Sequence, residues 1–252
     1  MKPKLRLKNK VVVITGGAGL IGGAFVNAAI ENGANVAVLD MTEETFAKKV
    51  LFLKCDITNE KSVSESFQKI VQKFGKIDVL VNSAYPKNKN YGRKMEDVTY
   101  DDFCENVGMH LGGYFLTSKE VAKIMKKQRS GNIINVASIY GFSAPRFDIY
   151  KGVNMAMGTT VEYVAVKGAI INLTKYLASY LGEYNIRVNS LSPGGVFNNQ
   201  PQKFIKNYSK KVLLGNRMAR PSDLVGAFLF LSSDDSGYIT GHNLVIDGGW
   251  TI

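Results

Sequence analysis

The stretch Val11-Val-Val-Ile-Thr-Gly-Gly-Ala-Gly-Leu-Ile-Gly22 runs from an apolar, β-branched segment into a glycine-rich turn. Helical periodicity follows over residues 24–32, and Gly33 stands where a helix would end. Backbone N–H groups of such a turn, with the positive end of the next helix, can bind a pyrophosphate, and glycines avoid Cβ atoms that would block it. The stretch therefore predicts a strand, a phosphate-binding turn and a helix.

The same alternation of short apolar runs and helical stretches continues along the chain. We expect further strands at residues 35–40, 50–53, 77–81, 132–136, 187–191 and 243–246. Continuous apolar strands alternating with helices are typical of a parallel sheet covered on both faces. We therefore predict an α/β fold with a doubly wound, Rossmann-like parallel sheet, in a single domain of residues 1–252.

The charge balance and the cysteine content narrow the class of protein. Lysine and arginine number 32 against 21 acidic residues, but the basic residues are spread along the chain and match no nucleic-acid motif. No apolar run approaches the length of about 20 residues that a membrane helix needs. Cys55 and Cys104 belong to no metal-spaced cluster and form no disulfide framework. We expect a cytoplasmic protein with no metal, nucleic-acid or membrane partner.

Asp40 ends the second predicted strand, about 20 residues after the turn, where a carboxylate can bind the ribose hydroxyls of an adenosine. The same carboxylate would repel the 2′-phosphate of NADP(H), and Met41 rather than a basic residue follows it. These residues favour NAD(H) over NADP(H). The alternative is that Asp40 only caps the next segment.

Tyr163-Val-Ala-Val-Lys167 places a phenol and an amine one helical turn apart. A free tyrosine titrates near a pH of about 10, so a nearby ammonium that lowers its pKa would make it a usable general acid or base. Ser138, at the end of a predicted strand, could complete the proton machinery.

Further motifs, in order, resemble those of the short-chain dehydrogenase/reductase family, specifically its single-domain branch. They are Cys55-Asp56-Ile57, Val81-Asn82-Ser83-Ala84, Asn135-Val-Ala-Ser138, the Tyr163 and Lys167 pair, Asn189-Ser-Leu-Ser-Pro193-Gly194 and Ile246-Asp247-Gly-Gly-Trp250. The resemblance implies hydride transfer to or from a nicotinamide, with Tyr163 as general acid or base, Lys167 lowering its pKa and binding ribose, and Ser138 stabilising the substrate oxygen. It also implies a homodimer or homotetramer packed through helices near residues 112–129 and 164–181.

The expected site residues fall into three groups. The cofactor group comprises Gly16, Gly19, Leu20, Ile21, Gly22, Asp40, Met41, Asp56, Ile57, Asn82, Ala84, Tyr163, Lys167, Pro193, Gly194 and Val196. The catalytic group comprises Ser138, Tyr163, Lys167 and His110, and the substrate group comprises Ser138, Tyr85, Arg146 and Tyr150.

Two positions depart from the family pattern. Leu20 replaces a glycine of the turn, either because its side chain points into the core or because the turn differs. His110 stands where the family has a catalytic asparagine, and it either relays protons or packs as an ordinary helix residue. Asn106, one turn earlier, could be the displaced asparagine.

Two insertions are expected beside the active site, near residues 86–98 and 144–160. The second one makes the separation of Ser138 from Tyr163 roughly double that usual in the family, and Tyr85 precedes the first in place of a glycine. Basic residues of both insertions could bring positive charge to the pocket mouth: Lys87, Lys89, Arg93, Lys94, Arg146 and Lys151.

We therefore predict an NAD(H)-dependent oxidoreductase that interconverts an alcohol and a carbonyl on a small polar substrate, such as a sugar phosphate or sugar nucleotide. Two alternatives stay open. One is a 3-oxoacyl reductase acting on an acyl-carrier protein, and the other is a redox sensor that binds NAD(H) without turnover.

Overall fold

Seven parallel strands form the centre of the computed structural model, which describes residues 5–43, 50–155 and 159–252. They are β1 (Val11–Thr15), β2 (Asn35–Asp40), β3 (Val50–Lys54), β4 (Val79–Asn82), β5 (Gly131–Val136), β6 (Ile186–Pro193) and β7 (Asn243–Ile246). All seven predicted strands are present, and β4 and β6 show the largest shifts in their bounds. The predicted doubly wound parallel sheet is confirmed.

The order of the strands places a crevice at the centre of the sheet. The order is β3-β2-β1-β4-β5-β6-β7, so the chain leaves β1 on one side and returns to its other side at β4. Connections from these two strands diverge in opposite directions, which opens the crevice at their carboxyl ends. Thr15 pairs with Asn82, and Asn82 pairs with Asn135, so these three strands end at one level.

The described residues form six helices, five of which flank the sheet. They are α1 (Leu20–Glu31), α2 (Glu60–Phe74), α3 (Tyr100–Gln128), α4 (Val161–Leu181), α5 (Gln202–Ser209) and α6 (Pro221–Ser232). Apolar side chains of α2, α3 and α4 pack on one face of the sheet, and those of α1 and α6 pack on the other. Phe25 of α1 stacks on Phe228 of α6 at 4.5 Å between ring centroids. Both faces are therefore covered, as continuous apolar strands require.

A smaller apolar cluster lies apart from the two sheet faces. It joins the 3₁₀ turn Phe147–Tyr150 to α5 and to the chain end at Trp250, which is 1% exposed. Burying an aromatic side chain of this kind contributes about 1.5–3 kcal/mol. This cluster holds the segments between β5 and α4, and between β6 and α6, over the carboxyl edge of the sheet. None of the helices in the described ranges is long and apolar enough to cross a membrane.

Candidate functional site

A cleft of about 730 Å³ lies at the carboxyl ends of the strands. The glycine-rich turn after β1 lines one end, and aromatic side chains line the other, from Tyr85, from the second insertion and from α5. Between them lie Ser138, Tyr163 and Lys167. The expected residues Pro193, Gly194, Val196, Met41 and Ile21 also line the cleft.

Two glycines of the turn occupy positions where a Cβ atom has no room. Gly16 has a φ of +68°, and a Cβ there would lie 2.6 Å from the Ala84 Cα. A Cβ on Gly22 would overlap the carbonyl of Gly16, because α1 starts directly against the turn. The turn and the helix can approach this closely only with glycine at both positions.

Leu20 begins α1, and its side chain is 43% exposed on the cleft wall. The explanation that it points into the core is therefore wrong. The predicted start of this helix at residue 24 is also late, because Gly19 caps the helix and Leu20 is its first residue. An apolar side chain in this first helical turn therefore forms part of the cleft wall.

Asp40 contacts both the turn and the segment that follows β2. One carboxylate oxygen accepts a hydrogen bond from the Ala18 backbone N–H at 3.0 Å, and the other accepts one from the Thr42 N–H, also at 3.0 Å. Asp40 thus caps the next segment and also fixes the glycine turn. Since it lines the cleft as well, the capping role and a ribose-binding role are compatible.

Of the other expected cofactor residues, Asp56, Ile57 and Ala84 line the cleft, whereas Asn82 does not. The Asn82 side chain is fully buried and bonded to Ser118, Asn135 and Thr117. The expectation that this side chain contacts the cofactor is corrected. Its hydrogen bonds are used within the fold, where they join β4, β5 and α3.

Ser138, Tyr163 and Lys167 come together although they lie on separate elements. The Ser138 hydroxyl follows β5, accepts a hydrogen bond from the Tyr140 N–H at 3.2 Å, and lies close enough to the Tyr163 phenol to influence its pKa. Tyr163 lies in the first turn of α4, where the Thr160 hydroxyl accepts its backbone N–H at 3.3 Å. Lys167 Nζ donates to the Val136 carbonyl at 2.8 Å and lies 5.6 Å from the centroid of the Tyr163 ring.

Burial controls the protonation of these groups. It raises the pKa of Tyr163 to about 12, while the nearby Ser138 hydroxyl acts in the opposite direction. Burial also lowers the pKa of Lys167 to about 7. The expected lowering of the Tyr163 pKa by Lys167 is absent from this structure, because desolvation dominates and the amine is itself partly uncharged at neutral pH. The phenol is therefore protonated and ready to donate.

His110 contacts Lys167 directly. Its Nε2 lies 3.4 Å from Lys167 Nζ, and its ring stands edge-on to Tyr85 and Tyr114 at centroid distances of 4.9 and 5.2 Å. Burial, and secondarily the charge on Lys167, hold the pKa of His110 well below its usual range. A neutral imidazole can accept a hydrogen bond from the lysine ammonium.

Asn106 is not a displaced catalytic asparagine. Its amide bonds to Asn88, to the Asp102 carbonyl and to Glu162, and it has no contact with Lys167. Asn88 and Asn90 both donate to the Asp102 carboxylate, at 2.9 and 2.7 Å. These bonds hold the first insertion against α3.

At the aromatic end of the cleft, Tyr85 and Tyr150 lie on the wall as expected, whereas Arg146 does not. The Arg146 guanidinium is exposed and lies 5.1 Å from the Trp250 ring, off the cleft wall. The second insertion does reach the cleft through Tyr150 and Thr159, while residues 156–158 of it lie outside the described ranges.

Sequence reasoning missed several lining residues: Tyr140, Thr159, Gln200, Phe204, Tyr208 and Met218. One signal was available, since Phe204 and Tyr208 are four residues apart and give α5 an apolar face in an otherwise polar segment. No comparable pattern marks the other positions.

Comparison with known proteins agrees with this geometry. Residues 17–251 match a family model described as enoyl-(acyl carrier protein) reductase. A short chain dehydrogenase from Leptospira borgpetersenii serovar Hardjo-bovis, solved with bound NAD⁺, is 39% identical, with a TM-score of 0.89 over 98% of this chain and 94% of that one. The chain belongs to the short-chain dehydrogenase/reductase family. The predicted oxidoreductase class is thereby confirmed.

Two curated relatives of this dehydrogenase/reductase carry different names. Post-translational flagellin modification protein A of Campylobacter coli is 37% identical over 97% of this chain and 99% of that protein. The 7α-hydroxysteroid dehydrogenase of Bacteroides fragilis is 33% identical over 98% and 96%. Relatives of similar identity thus differ in name, so the substrate has to be argued from the cleft itself.

The residues of the dehydrogenase/reductase cleft fit a nicotinamide dinucleotide. The cradle between Gly16 and Gly22 is space that a Cβ would fill, and the N-terminus of α1 faces it. Asp40 stands at the distance along the chain expected for a ribose contact. Among the described residues, no group of three or more His, Cys, Asp or Glu side chains is placed to hold a metal ion.

Proposed function

We propose that this dehydrogenase/reductase uses NAD(H) to interconvert a secondary alcohol and a carbonyl on a small polar ring, such as a sugar phosphate or sugar nucleotide. The observation that carries the proposal is the meeting of Ser138, Tyr163 and Lys167 in the cleft that the glycine turn lines. When bound, NAD(H) supplies or accepts the hydride.

The choice of NAD(H) over NADP(H) rests on Asp40. Its carboxylate is fixed by two backbone N–H groups and cannot turn away from a bound adenosine without losing them. A 2′-phosphate beside it would bring two negative groups together in a partly buried place. The bound NAD⁺ in the Leptospira structure supports the same choice.

The chain's own groups divide the proton chemistry. In the reductive direction, Tyr163 donates its phenolic proton to the substrate oxygen, and the Ser138 hydroxyl stabilises the charge that develops there. Lys167, with a pKa near 7, can return a proton to the phenolate at neutral pH. His110 holds Lys167 in place from behind, together with the Val136 carbonyl.

The substrate end favours a hydroxylated ring. Aromatic faces there can pack against the apolar face of a ring, and the hydroxyls of Tyr150 and Thr159 can bind its substituents. Because Arg146 lies off the cleft wall, it gives no support for a phosphate group on the substrate. Lys87 could hold one at the mouth, where its exposed ammonium lies 5.8 Å from the Tyr85 ring centroid and 5.7 Å from that of Tyr91.

A second candidate is reduction of a 3-oxoacyl group on an acyl-carrier protein. The description of the matching family model favours it, and so do Lys203, Lys206 and Lys210 on and beside α5, since an acidic carrier would bind a basic surface. Asp40 speaks against it, because it disfavours the phosphorylated cofactor.

Titration of the purified protein with NADH and NADPH, followed by fluorescence, tests the cofactor. Fresh samples are then supplied with sugars, sugar phosphates or sugar nucleotides together with NAD⁺ or NADP⁺, and with 3-oxoacyl thioesters together with NADH or NADPH, while the nicotinamide absorbance is recorded. We expect tighter binding of NADH and turnover on a sugar class. Tighter NADPH binding with thioester turnover would establish the second candidate, and binding without any turnover would favour the redox sensor.

We also propose a homodimer or homotetramer packed through α3 and α4. Large apolar or aromatic side chains are exposed on these two helices: Phe115 at 48%, Tyr176 at 64% and Tyr180 at 54%. The two tyrosines stack at 6.0 Å, and Lys126 lies over Tyr180. Light scattering after size exclusion measures the mass, and a monomer would contradict the proposal.

A further inference from the structure

Three hydroxyl groups meet at the substrate end of the cleft. Tyr140, Tyr150 and Thr159 all line it, and the Tyr150 hydroxyl lies 3.0 Å from Thr159 Oγ1. The Tyr140 hydroxyl is buried and has no hydrogen-bond partner of ordinary geometry among the described residues. It nevertheless lies close to Thr159. Burial raises the pKa of Tyr140, and the Thr159 hydroxyl acts in the opposite direction.

The hydrogen-bonding capacity of this cluster is mostly unused. Each hydroxyl brings one donor and two acceptor positions, yet the only ordinary hydrogen bond among the three joins Tyr150 to Thr159. Buried polar groups are unfavourable without partners, so an arrangement of this kind is completed by a molecule that can both donate and accept. A hydroxyl group on a bound substrate meets that requirement.

No member of the cluster is charged, and few charged side chains line the cleft. Among the described residues of the cleft wall, the charged side chains are Asp40, Asp56 and Lys167. The two aspartates lie at the nucleotide end, and Lys167 lies beside Tyr163. Phe204 stands 5.2 Å from the ring of Tyr150, so the hydroxyls are set in an aromatic wall. Such a wall suits an uncharged ring rather than a carboxylate or a phosphate.

The cluster also lies near the reacting atoms. Tyr150 and Tyr163 line the same cleft and pack against the same apolar cluster. Tyr140 follows Ser138 by two residues and donates its backbone N–H to that side chain. A substrate whose reacting oxygen meets Ser138 and Tyr163 would therefore place neighbouring substituents beside the cluster.

We propose that Tyr150 and Thr159 recognise a second hydroxyl group near the reacting carbon of the substrate, with Tyr140 supporting Thr159. The inference rests on the proposed function and deepens it. It assigns the substrate to the class of vicinal diols or hydroxy ketones on an uncharged ring, and any anionic group of the substrate then lies outside this end of the cleft.

The test compares cyclohexane-1,2-diol with cyclohexanol, two rings that differ by one hydroxyl. Binding of each probe to the protein with saturating NADH is measured by ligand-observed NMR for the wild type, Tyr150→Phe, Thr159→Val and the double variant. Tyr184→Phe is the matched control, since Tyr184 lies beyond the far end of α4 under Lys126 and Arg129. Unfolding midpoints near that of the wild type show that the variants fold.

We expect the wild type and Tyr184→Phe to bind the diol about tenfold more tightly than cyclohexanol, as one or two hydrogen bonds allow. Tyr150→Phe and Thr159→Val should lose this preference without weaker binding of cyclohexanol. The double variant should lose little more than either one, because both substitutions break the same pair.

A wild type that binds no diol, or binds both probes equally, would overturn the inference, and so would cleft variants that keep the preference. Oxidation of panel alcohols with NAD⁺ tests the proposed function separately. Selective diol binding without any turnover would reject the function alone, whereas turnover without diol selectivity would reject only this inference.

Discussion

The nucleotide end and the substrate end of the cleft are built in different ways. Backbone forms the first, in a turn where Gly16 and Gly22 have no room for a Cβ and where Asp40 accepts the Ala18 N–H. Side chains form the second, and they come from segments far apart in sequence, such as Tyr85, Tyr150 and α5. A turn of backbone depends on local sequence, whereas a wall of side chains depends on how distant segments pack. Cofactor choice and substrate choice are therefore separable by substitution.

The largest effect is expected at the junction of the two ends. Tyr163→Phe removes the proton that the substrate oxygen takes and leaves the ring, so kcat/KM should fall by about a thousandfold. NADH affinity should stay within about threefold of the wild type, since only one hydroxyl contact is lost. Steady-state rates and fluorescence titration measure the two quantities. Retention of more than a tenth of the activity would remove Tyr163 from the proposed role.

Gly22→Ala should impair only the nucleotide end of the cleft. The new Cβ would overlap the Gly16 carbonyl, so the turn must open, with an expected loss of about a hundredfold in NADH affinity and about 1–3 kcal/mol in unfolding free energy. Gly226→Ala in α6 is the control, because a Cβ there meets nothing within 4 Å and should stabilise the helix by up to about 1 kcal/mol. Equal behaviour of the two variants would show that the close packing of the turn is unimportant.

The ease with which each end could be predicted follows the same division. The strands, the glycine turn and the Asp40 position depend on neighbours in the chain, and the sequence pattern placed them within a few residues. Asn82 shows the limit, because the pattern located the end of β4 but could not tell that the side chain turns into the hydrogen-bonded interior.

Side-chain direction also explains the errors at the substrate end. Arg146 was expected in the pocket on account of its charge, but Trp250, more than a hundred residues later, offers its guanidinium an aromatic face. One of the two explanations offered for Leu20 placed its side chain in the core, yet the start of α1 turns it towards the cleft. Phe204 and Tyr208 lie on the wall because the smaller apolar cluster, which includes Trp250, holds α5 over the sheet.

A change at Asp40 would sharpen the comparison. Asp40→Ala should lower the ratio of NADH affinity to NADPH affinity by about tenfold, because the carboxylate no longer binds ribose or repels a phosphate. The preference for diol over cyclohexanol should not change. Parallel titrations of the wild type and the variant give both ratios. A constant cofactor ratio would mean that Asp40 serves only to fix the turn.

The smallest expected effect concerns His110, beside Lys167, and is a change in how stability depends on pH. Burial holds the pKa of His110 below its unfolded value of about 6.5, so the unfolded state binds the extra proton first as the pH falls. The wild type should therefore lose stability below a pH of about 6.5, and His110→Asn should lose less. Thermal midpoints at pH 5 and pH 8 should show a difference of a few degrees between the two proteins. Parallel curves would indicate that His110 titrates normally.

Thr159 and Thr160 are consecutive residues whose hydroxyls bond to different parts of the molecule. The hydroxyl of Thr159 pairs with Tyr150 in the wall of the pocket, while that of Thr160 caps α4 and fixes the backbone of Tyr163. Thr159, which we propose to bind the substrate, is thus covalently joined to Thr160, whose hydroxyl fixes the backbone of Tyr163. A loop exchanged between relatives to change the substrate therefore has to end before Thr160. It also has to supply its own hydrogen-bond partner for residue 159. A graft that also replaced residue 160 would change the pocket wall and would also remove the cap that fixes the backbone of Tyr163.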